Sequence, residues 1–199
     1  MGAPGGAGGI LRSSAAGSVT VGEAGTAGEL TTGSAAGDDL AFTNGNAAGT
    51  LTVNSIIKNN AGGAVDVIVN GAATALTVFT GGSTYTGGTT VQQGTLRVSN
   101  NSALGSTTGG STVAIGAALE MAGGITIGNE ALSLQGGGIS NGGALRNVSG
   151  TNTYGGLITA TATPRLYVDT GTTLILDRVG AGGSLTTDSS ITLEVGRDG

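Results

Sequence analysis

The chain has no cysteine, no histidine and no tryptophan, and its 199 residues include only two prolines, Pro4 and Pro164. Without cysteine there is neither a disulfide frame nor a thiolate metal site. Without histidine as well, a Ser-His-Asp triad, a Cys-His pair and an ordinary zinc or copper site are all excluded. Aromatic residues make up 3% of the chain, so small and β-branched side chains must fill the interior. Charge is scarce too: seven basic residues stand against twelve acidic ones, for a net charge of −5. The acidic excess is five to three in residues 1–99 and seven to four in residues 100–199. Nucleic-acid binding needs clustered Lys and Arg to neutralise phosphates, and singly scattered basic residues do not supply them. The same scarcity disfavours an anionic membrane surface. No run of about 18 apolar residues marks a membrane-spanning helix, so direct membrane insertion is not expected.

What is abundant is glycine, with 42 residues, about three times the usual share of roughly 7% and without the strict three-residue period of collagen. Disordered chains combine low hydrophobicity with high charge, whereas this one is 38% apolar and 10% charged. A glycine-rich, threonine-rich, charge-poor chain suits many short strands joined by tight turns.

Period-two alternation is the dominant pattern. It runs through Val65-Asp66-Val67-Ile68-Val69-Asn70, Leu96-Arg97-Val98, Val113-Ala114-Ile115, Leu119-Glu120-Met121 and Ile125-Thr126-Ile127. It continues in Leu132-Ser133-Leu134, Leu166-Tyr167-Val168 and Ile191-Thr192-Leu193-Glu194-Val195. The first member of each run is expected inside, which puts Asp66, Arg97, Glu120 and Glu194 outside and forces no charge inward. Gly109-Gly110, Gly123-Gly124, Gly136-Gly137-Gly138 and Gly142-Gly143 punctuate the runs and supply the positive φ that tight turns require. No i, i+3, i+4 apolar pattern persists over three turns, so almost no helix is expected.

Apolar pairs recur at 19 to 25 residues, as in Leu76 to Leu96, Leu96 to Leu119 and Val113 to Leu132. Such periods signal stacked repeats. The expected fold is therefore all-β, a parallel β-helix or β-solenoid. Two to three short strands per coil of about 22 residues give roughly nine coils, a stack on the order of 40 Å long at about 4.8 Å per rung. Residues 1–16 read as a flexible Gly/Ala-rich segment and residues 17–49 as an irregular first coil, a cap or an exchanged segment. Residues 50–199 read as the solenoid repeat domain.

The stretch Thr84-Tyr85-Thr86-Gly87-Gly88-Thr89-Thr90-Val91-Gln92-Gln93-Gly94-Thr95-Leu96-Arg97-Val98-Ser99-Asn100-Asn101-Ser102-Ala103-Leu104-Gly105-Ser106 resembles the passenger-associated β-strand repeat of bacterial autotransporters. Gly143-Ala144-Leu145-Arg146-Asn147-Val148-Ser149-Gly150-Thr151-Asn152-Thr153-Tyr154-Gly155-Gly156 is similar to a second segment of the same passenger proteins. The resemblance implies a right-handed parallel β-helix displayed on the bacterial surface or secreted. It implies a structural or adhesive role and carries no catalytic residues onto this chain. The N-terminus lacks the positive start and apolar core of a signal peptide. Met1 accordingly reads as the start of a processed subunit or of a piece of a longer protein.

Gly138-Ile139-Ser140-Asn141-Gly142 fits the nucleophile-elbow pattern, which needs a strand-to-helix turn and a histidine base; here it reads as a turn. Asp38-Asp39 beside Leu40 reads as a solvated loop in preference to a cation site. Asp169 and Asp177, with Arg165 and Arg178 nearby, are the pair to test for a glycosidase, whose two carboxyls lie about 5 to 9 Å apart in a cleft. Tyr85, Tyr154 and Tyr167 are the only tyrosines, few for sugar platforms, and Tyr85 and Tyr154 read as stacked aromatic caps. Asn residues, including those of the sequons at Asn100 and Asn147, read as turn formers that stack as amide ladders between rungs. No residue is assigned as catalytic, cofactor-binding or metal-binding, and no cofactor is expected. The favoured reading is a non-catalytic structural module, and the alternative is a carbohydrate-active or carbohydrate-binding β-helix. Expected partners are a second copy through the solenoid ends, or a receptor or glycan on a host or neighbouring cell.

Overall fold

A computed structural model describes residues 8–15, 17–25, 28–33, 37–178, 185–187 and 192–195. In chain order the strands fall into eight coils. The first coil holds β1 (Gly8–Arg12), β2 (Val19–Val21) and β3 (Glu29–Leu30); the second holds β4 (Asp38–Asn44), β5 (Thr50–Val53) and β6 (Ile56–Ile57). The third and fourth supply β7 (Val65–Gly71) with β8 (Leu76–Phe79), and β9 (Thr89–Val91) with β10 (Thr95–Val98). Then come β11 (Ser111–Val113), β12 (Ala118–Ala122) and β13 (Thr126–Ile127), followed by β14 (Leu132–Gln135), β15 (Leu145–Ser149) and β16 (Thr151–Tyr154). The last two coils hold β17 (Ile158–Thr161), β18 (Arg165–Val168) and β19 (Thr173–Leu176), then β20 (Leu185–Thr187) and β21 (Thr192–Val195).

Each coil gives its first strand to one eight-stranded parallel sheet and its second to another. A third side is strand only in places, as β3-β6 and β13-β16-β19. Among the described residues the only helix is the 3-10 turn Ile139–Asn141. The chain is thus a parallel β-helix. Among the described residues the stack already includes β1 and β4, so the boundary suggested at residue 50 falls inside it, at the start of β5. Residues 1–7 and Ile191 lie outside the described residues.

The alternation that marks the strands also sorts their side chains. Inside the first sheet, Ile10, Phe42, Val69, Val91, Val113, Leu134 and Ala160 form one register column. Inside the second, Leu51, Thr77, Leu96, Leu119, Leu145 and Leu166 form another. Most of these residues are fully buried, and each large aliphatic side chain contributes about 1.5–3 kcal/mol by leaving water. Where coils touch at a corner, glycine is required: a Cβ on Gly109 would fall 1.9 Å from the Gly87 carbonyl oxygen.

Three expectations change. The repeat is wider than 22 residues at the ends: register partners in the first sheet are 32 residues apart from Gly8 to Leu40, and 27 from Leu40 to Val67. They close to 22 and 21 in the middle and widen to 26 and 27 afterwards, so that eight coils lie among the described residues. The strand β8 also has the opposite phase to the one Leu76 suggests. Leu76 lies against Thr95 on the outer side, while Thr77 and Phe79 point in. The inner slot goes to Phe79, which packs edge-to-face on Phe42 at 5.0 Å, because a phenyl ring buries more apolar area and gains from that geometry. Likewise Val113 meets Leu134, with Leu132 beside Ser111, and Ile115 falls in the turn after β11 and is 71% exposed.

Charge is the third. Asp66, Arg97 and Glu120 occupy outward positions, yet Arg12, Asp38 and Glu130 are buried. The Arg12 guanidinium is received by oxygens, donating to Gly17 O at 2.7 Å, Asn44 Oδ1 at 2.5 Å and Asn46 O at 3.1 Å. Asn side chains bridge coils, as expected of them, but mainly by bonding to backbone. Asn44 Nδ2 donates to Leu76 O, Asn147 Nδ2 to Thr173 O, and Asn152 Oδ1 accepts from Ile125 N.

Candidate functional site

The outward column of the second sheet places Arg97, Glu120, Arg146 and Tyr167 on successive rungs. Glu120 Oε2 accepts from Arg97 Nε at 2.8 Å and lies 2.7 Å from its Nη2, while Oε1 is 4.0 Å from Arg146 Nη1. Arg146 in turn donates to both carboxylate oxygens of Asp169 and sits 5.2 Å from the centre of the Tyr167 ring. The Asp169 hydrogen bond raises the Arg146 pKa further above its ordinary value, against the opposing effect of burial. Flanked by two guanidinium groups, Glu120 is 8% exposed although it points away from the bore. With Thr74, Thr95, Gly142 and Gly143, Glu120 and Arg146 line a cavity of about 160 Å³, small beside the roughly 300–1,000 Å³ of a typical ligand pocket. A wider groove of about 450 Å³, lined by residues that include Ala24, Asn54, Ile56 and Thr80, has no titratable side chain.

The glycosidase pair is not brought together. Asp169 follows β18 and Asp177 follows β19, so a four-residue strand, about 13 Å at 3.3 Å per residue, lies between them. Asp169 is engaged with Arg146, and Arg165 Nη1 reaches Asn141 O at 3.4 Å. Ser140 is exposed in the turn between β14 and β15, with φ of 50°. Asp38 and Asp39 open β4 and are not in a loop. The inward phase of Leu40 and Phe42 carries Asp38 inside, where its Oδ2 accepts from Asn60 Nδ2 at 3.2 Å. Among the described residues no group of three or more Asp or Glu side chains is arranged to hold a metal ion.

Sequence reasoning missed a second polar cluster, inside the bore. Glu130 is 1% exposed and its Oε1 accepts from Ser111 Oγ at 2.7 Å. Burial pushes its pKa up to about 7, with the Ser111 bond pulling the other way. Tyr85 and Tyr154, expected as caps, are fully buried and three coils apart. The Tyr85 hydroxyl is 2.5 Å from Thr89 Oγ1, and its ring lies over Gly105, where a Cβ would fall 3.0 Å from two ring carbons. Burial first and the nearby Glu130 carboxylate second raise the pKa of Tyr154; they do the same for Tyr85, against its Thr89 bond. The single signal for Glu130 was a lone acid in an otherwise uncharged stretch, Asn129 to Leu145.

These features define a parallel β-solenoid with a charged outer column and a small polar cluster in its bore. No family model matches the chain, and neither a curated protein nor a solved structure does so.

Proposed function

We propose that the chain is a non-catalytic structural module, a stiff β-solenoid segment that serves as a stalk, spacer or displayed passenger section of a bacterial surface protein outside the cell. The observation that carries this reading is the pair of eight-stranded parallel sheets around continuous apolar columns. Each coil contacts its neighbours alone, so stiffness and stability accumulate by nearest-neighbour stacking. The resemblance of residues 84–106 and 143–156 to autotransporter passenger repeats supports display at the surface. Duplicating the 22-residue coil 89–110 tests the spacer role. The rod lengthens by about 4.8 Å with its fold retained; an unfolded or unlengthened product rejects the reading. Turnover of any glycan that Asp169→Asn or Asp177→Asn abolishes also rejects it.

A second reading, binding of a neutral glycan, is favoured by one feature. Outward positions Thr90, Thr112, Ser133, Thr159 and Thr186 form an in-register column of hydroxyls, flanked by uncharged residues such as Gln92, Ala114 and Gln135. Co-sedimentation with insoluble neutral glycans tests it. Thr112→Lys with Thr159→Lys abolishes retention if this column is the binding face, and equal retention of the variant rejects it.

A further inference from the structure

Glu130 is the one carboxyl of the polar cluster inside the bore, and the groups around it can be named element by element. From β11 comes Ser111, whose hydroxyl is its hydrogen-bond partner. From the segment before β9 comes Tyr85, tied to Thr89, and from β16 comes Tyr154. The backbone of the next coil closes over it so tightly that a Cβ on Gly156 would fall 1.6 Å from the Glu130 carbonyl oxygen. The titratable neighbours, Tyr85 and Tyr154, are both acids, and no ion pair among the described residues involves Glu130. A carboxylate here would hold a full charge on one hydroxyl bond, whereas a neutral carboxyl fits.

We propose that Glu130 is a proton-operated clasp in the middle of the rod: neutral, it lets the coil that follows close over it, and on ionising it admits water and loosens the rungs on either side. The rungs concerned are identified by their backbone bonds. Ser111 N donates to Ala131 O at 2.7 Å, and Leu132 N donates to Leu157 O at 2.8 Å, so both bonds end on residues next to or two away from Glu130.

The sign follows from linkage. The closed coil holds the Glu130 proton up to about pH 7, while the opened coil releases it near the ordinary value of 4.5. The closed form is therefore favoured most below pH 4.5. It loses ground as pH rises through 7 and levels off about one unit above it. Between pH 5 and pH 7 the local opening constant rises by about 40-fold.

Amide hydrogen exchange on the whole chain, corrected for the intrinsic pH dependence of exchange, tests this. Protection at Ser111 and Leu132 falls about 40-fold from pH 5 to pH 7, while Asn54, bonded to Val21 O in the second coil, changes little. In Glu130→Gln the pH dependence disappears and protection stays high. The proposal is overturned if Glu130→Gln keeps the wild-type dependence, or if Asn54 follows the same curve as Ser111. Should Glu130→Gln not fold, the carboxyl carbon of Glu130 is followed by NMR in the unaltered chain. Titration near neutrality supports the clasp, and titration below pH 5 overturns it.

Discussion

Arg146 and Asp169, 23 residues apart in the chain and on neighbouring rungs, are joined by two hydrogen bonds: Nε to Oδ1 at 2.7 Å and Nη2 to Oδ2 at 2.9 Å. Their side chains are 37% and 26% exposed, so solvent screens the pair and its value to the fold is modest. Asp169→Asn should lower stability by less than about 1 kcal/mol. A urea midpoint close to that of the unaltered chain is the expected reading. A loss of several kcal/mol would show that this pair holds the coils together.

Glu120 stands differently, because its side chain is 11% exposed and two guanidinium groups lie against it. Removing its charge leaves Arg97 without the carboxylate it donates to. Glu120→Gln should therefore cost about 1–3 kcal/mol, more than Asp169→Asn. Thermal melts of the two variants side by side check the order.

Glycine tolerance should divide by what lies opposite. At Gly156 an added Cβ meets the Glu130 backbone at 1.6 Å, and backbone cannot swing aside, so Gly156→Ala should prevent coils five and six from closing. At Gly116 nothing lies within 4 Å and the only obstacle is a φ of +77°, so Gly116→Ala should cost about 1 kcal/mol. Circular dichroism melts of both variants distinguish them; equal damage would contradict the close approach.

Leu119 lies in register between Leu96 and Leu145 and is 1% exposed. Leu119→Ala should cost about 2–5 kcal/mol through lost burial and the cavity left behind. Ile115, 71% exposed, should tolerate Ala within about 0.5 kcal/mol. Chemical denaturation of the two variants makes the comparison.

Much of this was legible in the chain, and the reasons are local. Val65-Asp66-Val67-Ile68-Val69-Asn70 announces both a strand and its inner face, and the structure keeps every residue in that phase. Leu96 and Leu119 give the correct step between rungs. That 23-residue step also carries Arg97 onto Glu120, so the first link of the charged column could have been read from it. The next link could not, since the connection from β12 to β15 is longer and its register shifts at Met121/Ala122. Corner insertions of this kind leave the inner pattern intact while changing the period, which is why coil number was harder to read than fold. Glu130 was hidden for another reason: it belongs to no alternating run, and the groups around it, Ser111, Tyr85 and Tyr154, come from distant parts of the chain. Tyr85 and Tyr154 look like surface aromatics beside glycine turns, yet both are fully buried, and it is Gly105, distant in sequence from the turn after Tyr85, whose missing Cβ makes room for the Tyr85 ring.

The most direct test of the stacked architecture uses the absence of native cysteine, because spin labels can be placed without removing anything. Ala41, Thr112 and Thr159 share one outward column of the first sheet. Labels at Ala41→Cys with Thr112→Cys span three rungs, about 14 Å, and labels at Ala41→Cys with Thr159→Cys span five, about 24 Å. Electron double resonance should give distances that grow by about 10 Å from the first pair to the second. Distances that fail to increase with the number of rungs would contradict the solenoid and the structural role that rests on it.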